Sequence, residues 1–217
     1  MTTPGGAARP PITADPDSLL DTIQLYRKQI TWTAIAVAVV VGGGFLWKAN
    51  KARRETQGEK AFFDAMSLAS RNDPKSGDAL LKAASRYDGT AGGVQAAILY
   101  AQDRFDSGKY ADGQKALDGI KSPGDFASNI EALKAAGYEG ELKFDKAAEH
   151  YMAAVAKAEL TGQKDYLKGE AARAYANAGK KDEAIKLWKE LAAKTDSPMA
   201  GEARIRLGEL TAVAAKK

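Results

Sequence analysis

Residues 128–154 read SNIEALKAAGYEGELKFDKAAEHYMAA, and this stretch decides the fold once two others are laid beside it. Residues 94–120 read VQAAILYAQDRFDSGKYADGQKALDGI, and residues 165–191 read DYLKGEAARAYANAGKKDEAIKLWKEL. The windows are offset by 34 and then 37 residues. Their eighth place carries Ala101, Ala135 and Ala172, and their twentieth Gly113, Ala147 and Ala184. The twenty-fourth carries Leu117, Tyr151 and Trp188, and the twenty-seventh Ile120, Ala154 and Leu191. Tyr138 and Tyr175 share the eleventh place, where the first window has Arg104. Small residues at the eighth and twentieth places let two antiparallel helices touch, and bulky ones at the twenty-fourth plug the gap to the next pair.

This alternation of size resembles the tetratricopeptide pattern. The first window has a deviant first helix, and the third lacks the aromatic that Tyr110 and Phe144 supply at the seventeenth place. Turn-forming residues punctuate the chain at Asn72-Asp73-Pro74, Asp88-Gly89, Ser107-Gly108, Ser122-Pro123-Gly124, Thr161-Gly162, Ala178-Gly179 and Ser197-Pro198. The segments between them are the size of paired solenoid helices, and no strand-like alternation of any length occurs. Leu207-Gly208 resembles the start of a fourth unit, so Met199–Ala214 is expected to be a lone capping helix.

Stacked helix pairs make a concave surface lined by the first helix of each pair, at the second, fifth, ninth and twelfth places. The first window places Gln95, Ile98, Gln102 and Phe105 there. The third places Tyr166, Gly169, Arg173 and Ala176 there, with Asn177 beside them. Amides, an arginine and two aromatics suit an extended peptide or a partner helix. A solvated face without a ligand is the alternative at each single residue.

Upstream of the repeats, residues 30–47 read ITWTAIAVAVVVGGGFLW, with no charge between Lys28 and Lys48. Eighteen residues rising about 1.5 Å each cross most of a bilayer core. Trp32 and Trp47 stand near the two ends, where amphipathic rings prefer the headgroup level, and Lys48, Lys51, Arg53 and Arg54 suit anionic lipid. No small-x-small cleavage site follows the run, only Lys48-Ala49-Asn50, so an uncleaved single-pass anchor is expected. Ala34, Ala38 and Gly42 form a small-xxx-small face that allows close approach of another helix, although such residues are also common in membrane helices generally. Ala49 to about Arg71 is expected to extend this helix into solvent. Arg9, Arg27 and Lys28 precede the span and four cations follow it, so the basic count alone puts the C-terminal side in the cytoplasm.

Residues 1–17 hold four of the seven prolines and almost no large apolar side chains, so the tail is expected to be disordered or extended. Asp17 or Ser18 can cap a helix that carries the stripe Leu19, Ile23, Tyr26 and Ile30. The expected organisation is a tail with a short helix over 1–29, a transmembrane helix over 30–47 and a repeat domain over 48–217. The fold class is all-α: one transmembrane helix followed by a helical-repeat solenoid.

Composition narrows the function. The 217 residues contain no cysteine and one histidine, which excludes disulfides, thiol catalysis and multi-histidine metal sites. The net charge of +4 is small for this length and equals in number the cations crowded into Lys48–Arg54, so it does not point to nucleic acid. His150 lies beside the Tyr151 plug with no signal of an orienting carboxylate or substrate cleft, and Gly42-Gly43-Gly44 lies inside the apolar run, so it is no phosphate loop. No catalytic residue, cofactor, metal or small-molecule substrate is expected, and the function must lie in surfaces.

The whole plan resembles the YfgM family. The residues that carry the likeness are GGGFLWKANKARRETQGEKAFFDA from Gly42, GGVQAAILYAQDRFDSGKYADGQKALDGI from Gly92, and the region 165–214. This resemblance implies a bacterial inner-membrane protein with its repeats in the periplasm, associated with the SecYEG translocon and with periplasmic chaperones. It implies an N-in, C-out topology, against the basic count. The Pro-rich tail departs from the family's short acidic one. The other function considered is an architectural subunit that clamps a larger respiratory or photosynthetic membrane complex.

Overall fold

The computed structural model describes residues 16–71 and 73–214, and among these every regular element is helical. Helix α1, Pro16–Ala69, is continuous through the apolar run and beyond it. It opens one or two residues before the expected cap, so Pro16 and Asp17 belong to the helix. Proline suits the first turn of a helix, where its missing N–H has no partner to lose. The tail up to residue 15 lies outside the described residues, as do the side chains of Ala34 and of the stripe Leu19, Ile23, Tyr26 and Ile30. The chain divides into two compact units, the first ending at Ala52 and the second beginning at Arg53.

In the first unit, α1 contains an 18-residue window of mean hydropathy 1.5, none of it buried by the chain's own atoms. One helix among the described residues is therefore long and apolar enough to cross a membrane. Ala38 and Gly42 are exposed, and a Cβ at Gly42, Gly43 or Gly44 would meet nothing within 4 Å. Lys51 Nζ stands 5.8 Å from the centre of the Trp47 ring.

The second unit begins with the end of α1. There follow α2 (Ser76–Arg86), α3 (Ala91–Asp106), α4 (Tyr110–Asp118), a 3₁₀ turn (Gly124–Phe126), α5 (Ala127–Gly140), α6 (Phe144–Lys157), α7 (Thr161–Asn177), α8 (Lys181–Ala192) and α9 (Ala200–Ala214). From α2 onward each helix packs on the next. The periodic places explain why. Ala101, Ala135, Ala172, Ala147 and Ala184 have no exposed surface, and Gly113 is buried with them. A Cβ at Gly113 would strike the Phe105 ring and come within 3.0 Å of the Ala101 carbonyl, so glycine is needed there. Leu117, Tyr151 and Trp188 are buried plugs, as are Ala154 and Leu191 at the twenty-seventh place; Ile120 is half-buried. Gly92 sits against the Gly58 backbone, where two helices cross with no side chain between them.

Within each window the turn between the paired helices falls at the fifteenth place, occupied by Gly108, Leu142 and Gly179 with φ of 70°, 59° and 79°. At each, the following N–H reaches back five residues: Lys109 to Arg104, Lys143 to Tyr138 and Lys180 to Tyr175. This left-handed helix ending normally takes glycine. The turn at Glu141–Lys143 escapes the punctuation reading because a leucine holds the glycine place. Thr161-Gly162, expected as a break, instead opens α7, and the chain turns at Ala158–Leu160.

Asp165, 2% exposed, fastens the last pair. Lys194 Nζ lies 2.5 Å from its Oδ1, and Ser197 hydrogen-bonds it as well. Burial opposes its charge, but those partners outweigh burial and hold its pKa below the ordinary 3.8. A depressed folded pKa contributes stability that is complete above the unfolded value and is lost as pH falls through the folded one.

Two outcomes are expected. Leu142→Gly removes left-handed strain from an exposed side chain and gains about 1 kcal/mol, read as a Tm roughly 2–4 °C higher. Asp165→Asn lowers stability at neutral pH and flattens its decline below about pH 4, read by thermal melts across pH 3 to 7.

Candidate partner-binding groove

The first helices of the pairs leave one face without a helical partner, and a concave cavity of about 610 Å³ opens there. α3 contributes Gln95, Ile98, Leu99 and Gln102; α5 contributes Asn129, Ala132, Leu133 and Ala136. Tyr166, Leu167 and Glu170 of α7 close one end. Phe62 and Met66 of α1, with Phe126 of the 3₁₀ turn and the Tyr151 plug, complete the wall.

Four of the candidates thus meet in one groove: Gln95, Ile98, Gln102 and Tyr166. Asn129, Ala132 and Ala136 occupy the second, fifth and ninth places of the middle window, so the same spacing would have found them. Phe62, Met66 and Phe126 lie outside every window and carried no such signal.

Phe105 turns from the groove into a neighbouring cavity of about 490 Å³, against Leu80 and Leu133. Its ring packs where Gly113 and Gly137 leave room and lies 5.9 Å from Tyr110. Arg173 and Asn177 line a third cavity, of about 220 Å³, with Trp188, Arg206 and Leu210. The reason is α9. Met199 stands over Gly169 at 2.5 Å from where a Cβ would be, and Glu202 takes both Arg173 Nε (3.0 Å) and Nη2 (2.7 Å). Arg173 Nη1 meets Glu170 at 2.5 Å. The hydrogen bonds that Arg173 donates to Glu202 and Glu170 outweigh burial and raise the guanidinium pKa, so its charge is permanent. α9 therefore covers much of the face that α7 would present.

Glu139 and Tyr151 stand behind the Tyr166 end. Tyr151 Oη donates to Glu139 at 3.0 Å. Burial, reinforced by the nearby Glu170 charge, pushes the Glu139 carboxyl above its ordinary pKa despite that bond. Burial also drives the Tyr151 phenol well above its usual range.

His150 does have a carboxylate, contrary to the sequence reading. Its Nδ1 lies 2.8 Å from Glu131 Oε2, and its ring stacks on Tyr138 at 5.1 Å. Glu131 comes from α5, nineteen residues away in sequence, and pairs with Lys157 too. None of the three lines the groove, so this network joins α5 to α6. Among the described residues no group of three or more histidine or acidic side chains is placed to hold a metal ion.

Of the cations after the apolar run, Arg54 reaches the Asp88 carbonyl at 3.5 Å, while Lys48, Lys51 and Arg53 are exposed.

Helix pairs with alanine contacts at the eighth and twentieth places, bulky plugs between pairs and a concave inner face identify the architecture. Residues 23–212 match the tetratricopeptide repeat-like domain family. The chain belongs to that family. Tetratricopeptide repeat-like domains typically act as protein-interaction modules, and the matched residues include one strongly apolar helix. No curated protein matches the chain.

Arg173→Gln is expected to release α9 from α7. Amide hydrogen exchange across Ala200–Ala214 should speed about tenfold, with α5 and α6 unchanged.

Proposed function

We propose that this is a non-enzymatic, membrane-anchored interaction protein that holds a segment of a partner protein in its concave groove. The observation that carries this reading is the groove itself. Large apolar and aromatic side chains line it beside three amides, on a face left without an opposing helix. Apolar walls supply affinity for side chains, and amides supply hydrogen bonds to an exposed backbone. Gln95, Ile98, Gln102 and Tyr166 face the partner; Phe105, Arg173 and Asn177 support the neighbouring helices.

The α1 apolar run serves as the anchor. Trp32, Trp47, Lys48, Lys51 and Arg53 sit at the lipid headgroups, and Ala34, Ala38 and Gly42 offer a docking face to another membrane helix. The resemblance to the YfgM family supports an inner-membrane location with the repeats in the periplasm. It also supports partners among the translocon and periplasmic chaperones, with the groove receiving emerging secretory chains.

A photo-cross-linking residue at Gln102 is expected to capture nascent secretory chains, with at least a fivefold loss of adducts in Ile98→Glu. Adducts only to a complex of fixed stoichiometry would favour an architectural subunit. A reporter fused to the C-terminus should be active in the periplasm; activity only in the cytoplasm overturns the topology.

A further inference from the structure

Glu170 is the one charged side chain among the described residues that line the groove, although the chain as a whole carries a net charge of +4. It stands at the end closed by α7, hydrogen-bonded by Tyr166. Glu139 lies close enough to repel it electrostatically, held by Tyr151. No cation lies within ion-pair distance of Glu139 among the described residues. Arg173, the guanidinium nearby, divides its nitrogens between Glu170 and Glu202. Glu202 and Glu209 also share Arg206. At the groove end Glu170 and Glu139 thus have one guanidinium near them, which Glu202 also takes, so negative charge is in excess there.

Resting on the groove reading above, we propose that the partner segment is apolar with a basic residue. A lysine or arginine side chain of the partner seats against the Glu139–Glu170 corner, beside the exposed Tyr166 ring. Its apolar neighbours lie along Ile98, Leu99 and Leu133. Three physical features favour a cation over any other group. The two carboxylates are half-buried, so their field is screened less than that of surface charges. Tyrosine rings attract cations on their faces as well as through their hydroxyls. An acidic or phosphorylated segment would add like charge to a site already in excess.

The test uses the full chain in a mild non-ionic detergent and three blocked ten-residue peptides of leucine and alanine. These differ only in a central lysine, glutamine or glutamate, and fluorescence anisotropy reads their affinity. The lysine peptide should bind about tenfold or more tightly than the glutamine peptide, and the glutamate peptide should bind weakest. The double variant Glu139→Gln/Glu170→Gln should bring the lysine peptide down to the glutamine peptide's affinity and leave the latter unchanged. Should that variant melt early, Glu170→Gln alone, on the groove surface, should give at least a threefold loss. Equal binding of all three peptides, lost in Ile98→Glu, overturns cation recognition and leaves the groove standing. No binding of any peptide, or binding indifferent to Ile98→Glu, overturns both.

Discussion

How closely two helices can approach governs the repeat domain. Ala101, Ala135 and Ala172, with Gly113, Ala147 and Ala184, are buried small residues at the periodic places where paired helices approach. A larger side chain there would separate the pair and misplace every later helix, because each one packs on its predecessor. The Gly58–Gly92 crossing applies the same constraint to the end of α1. Alanine has little surface to bury, so cohesion between pairs falls to a few large residues: Leu80, Leu117, Tyr151, Trp188 and Leu191.

That division of labour explains why a groove exists at all. Small contacts let the first helices lie side by side, and their inner faces then have no opposing layer. Ile98, Leu99 and Leu133 remain only half-buried there, beside Phe62 and Phe126. At the third pair the face is partly covered, because the α9 segment packs on α7 at Gly169 and Arg173 through Met199 and Glu202. The groove is asymmetric for that reason, open over α3 and α5 and bounded by an acidic corner at α7.

Polar fastenings follow the same economy. Asp165 with Lys194, Glu131 with His150 and Lys157, and Arg173 with Glu202 each join elements far apart in sequence. Glu139 differs from them, since among the described residues its carboxyl is hydrogen-bonded by a phenol alone. Burial outweighs that one bond and raises its pKa, as the unpaired setting of the carboxyl requires.

The sequence by itself determined the helical class, the periodic small and large places, the capping helix and the apolar run, because each rests on local periodicity and side-chain size. It placed Gln95, Ile98, Gln102 and Tyr166 on the inner face for the same reason, and the unused middle window would have added Asn129. The turn at Leu142 was hidden because the left-handed conformation there is imposed by the flanking helices and not by a glycine. Only the tertiary structure decided that Phe105 fills the space left by two glycines, and that Arg173 belongs to the α9 clamp. Phe62 and Phe126 joining the groove wall, and Glu131 meeting His150, likewise required the fold. These contacts depend on the angle and offset at which helices stack, which are set by packing between residues distant in sequence.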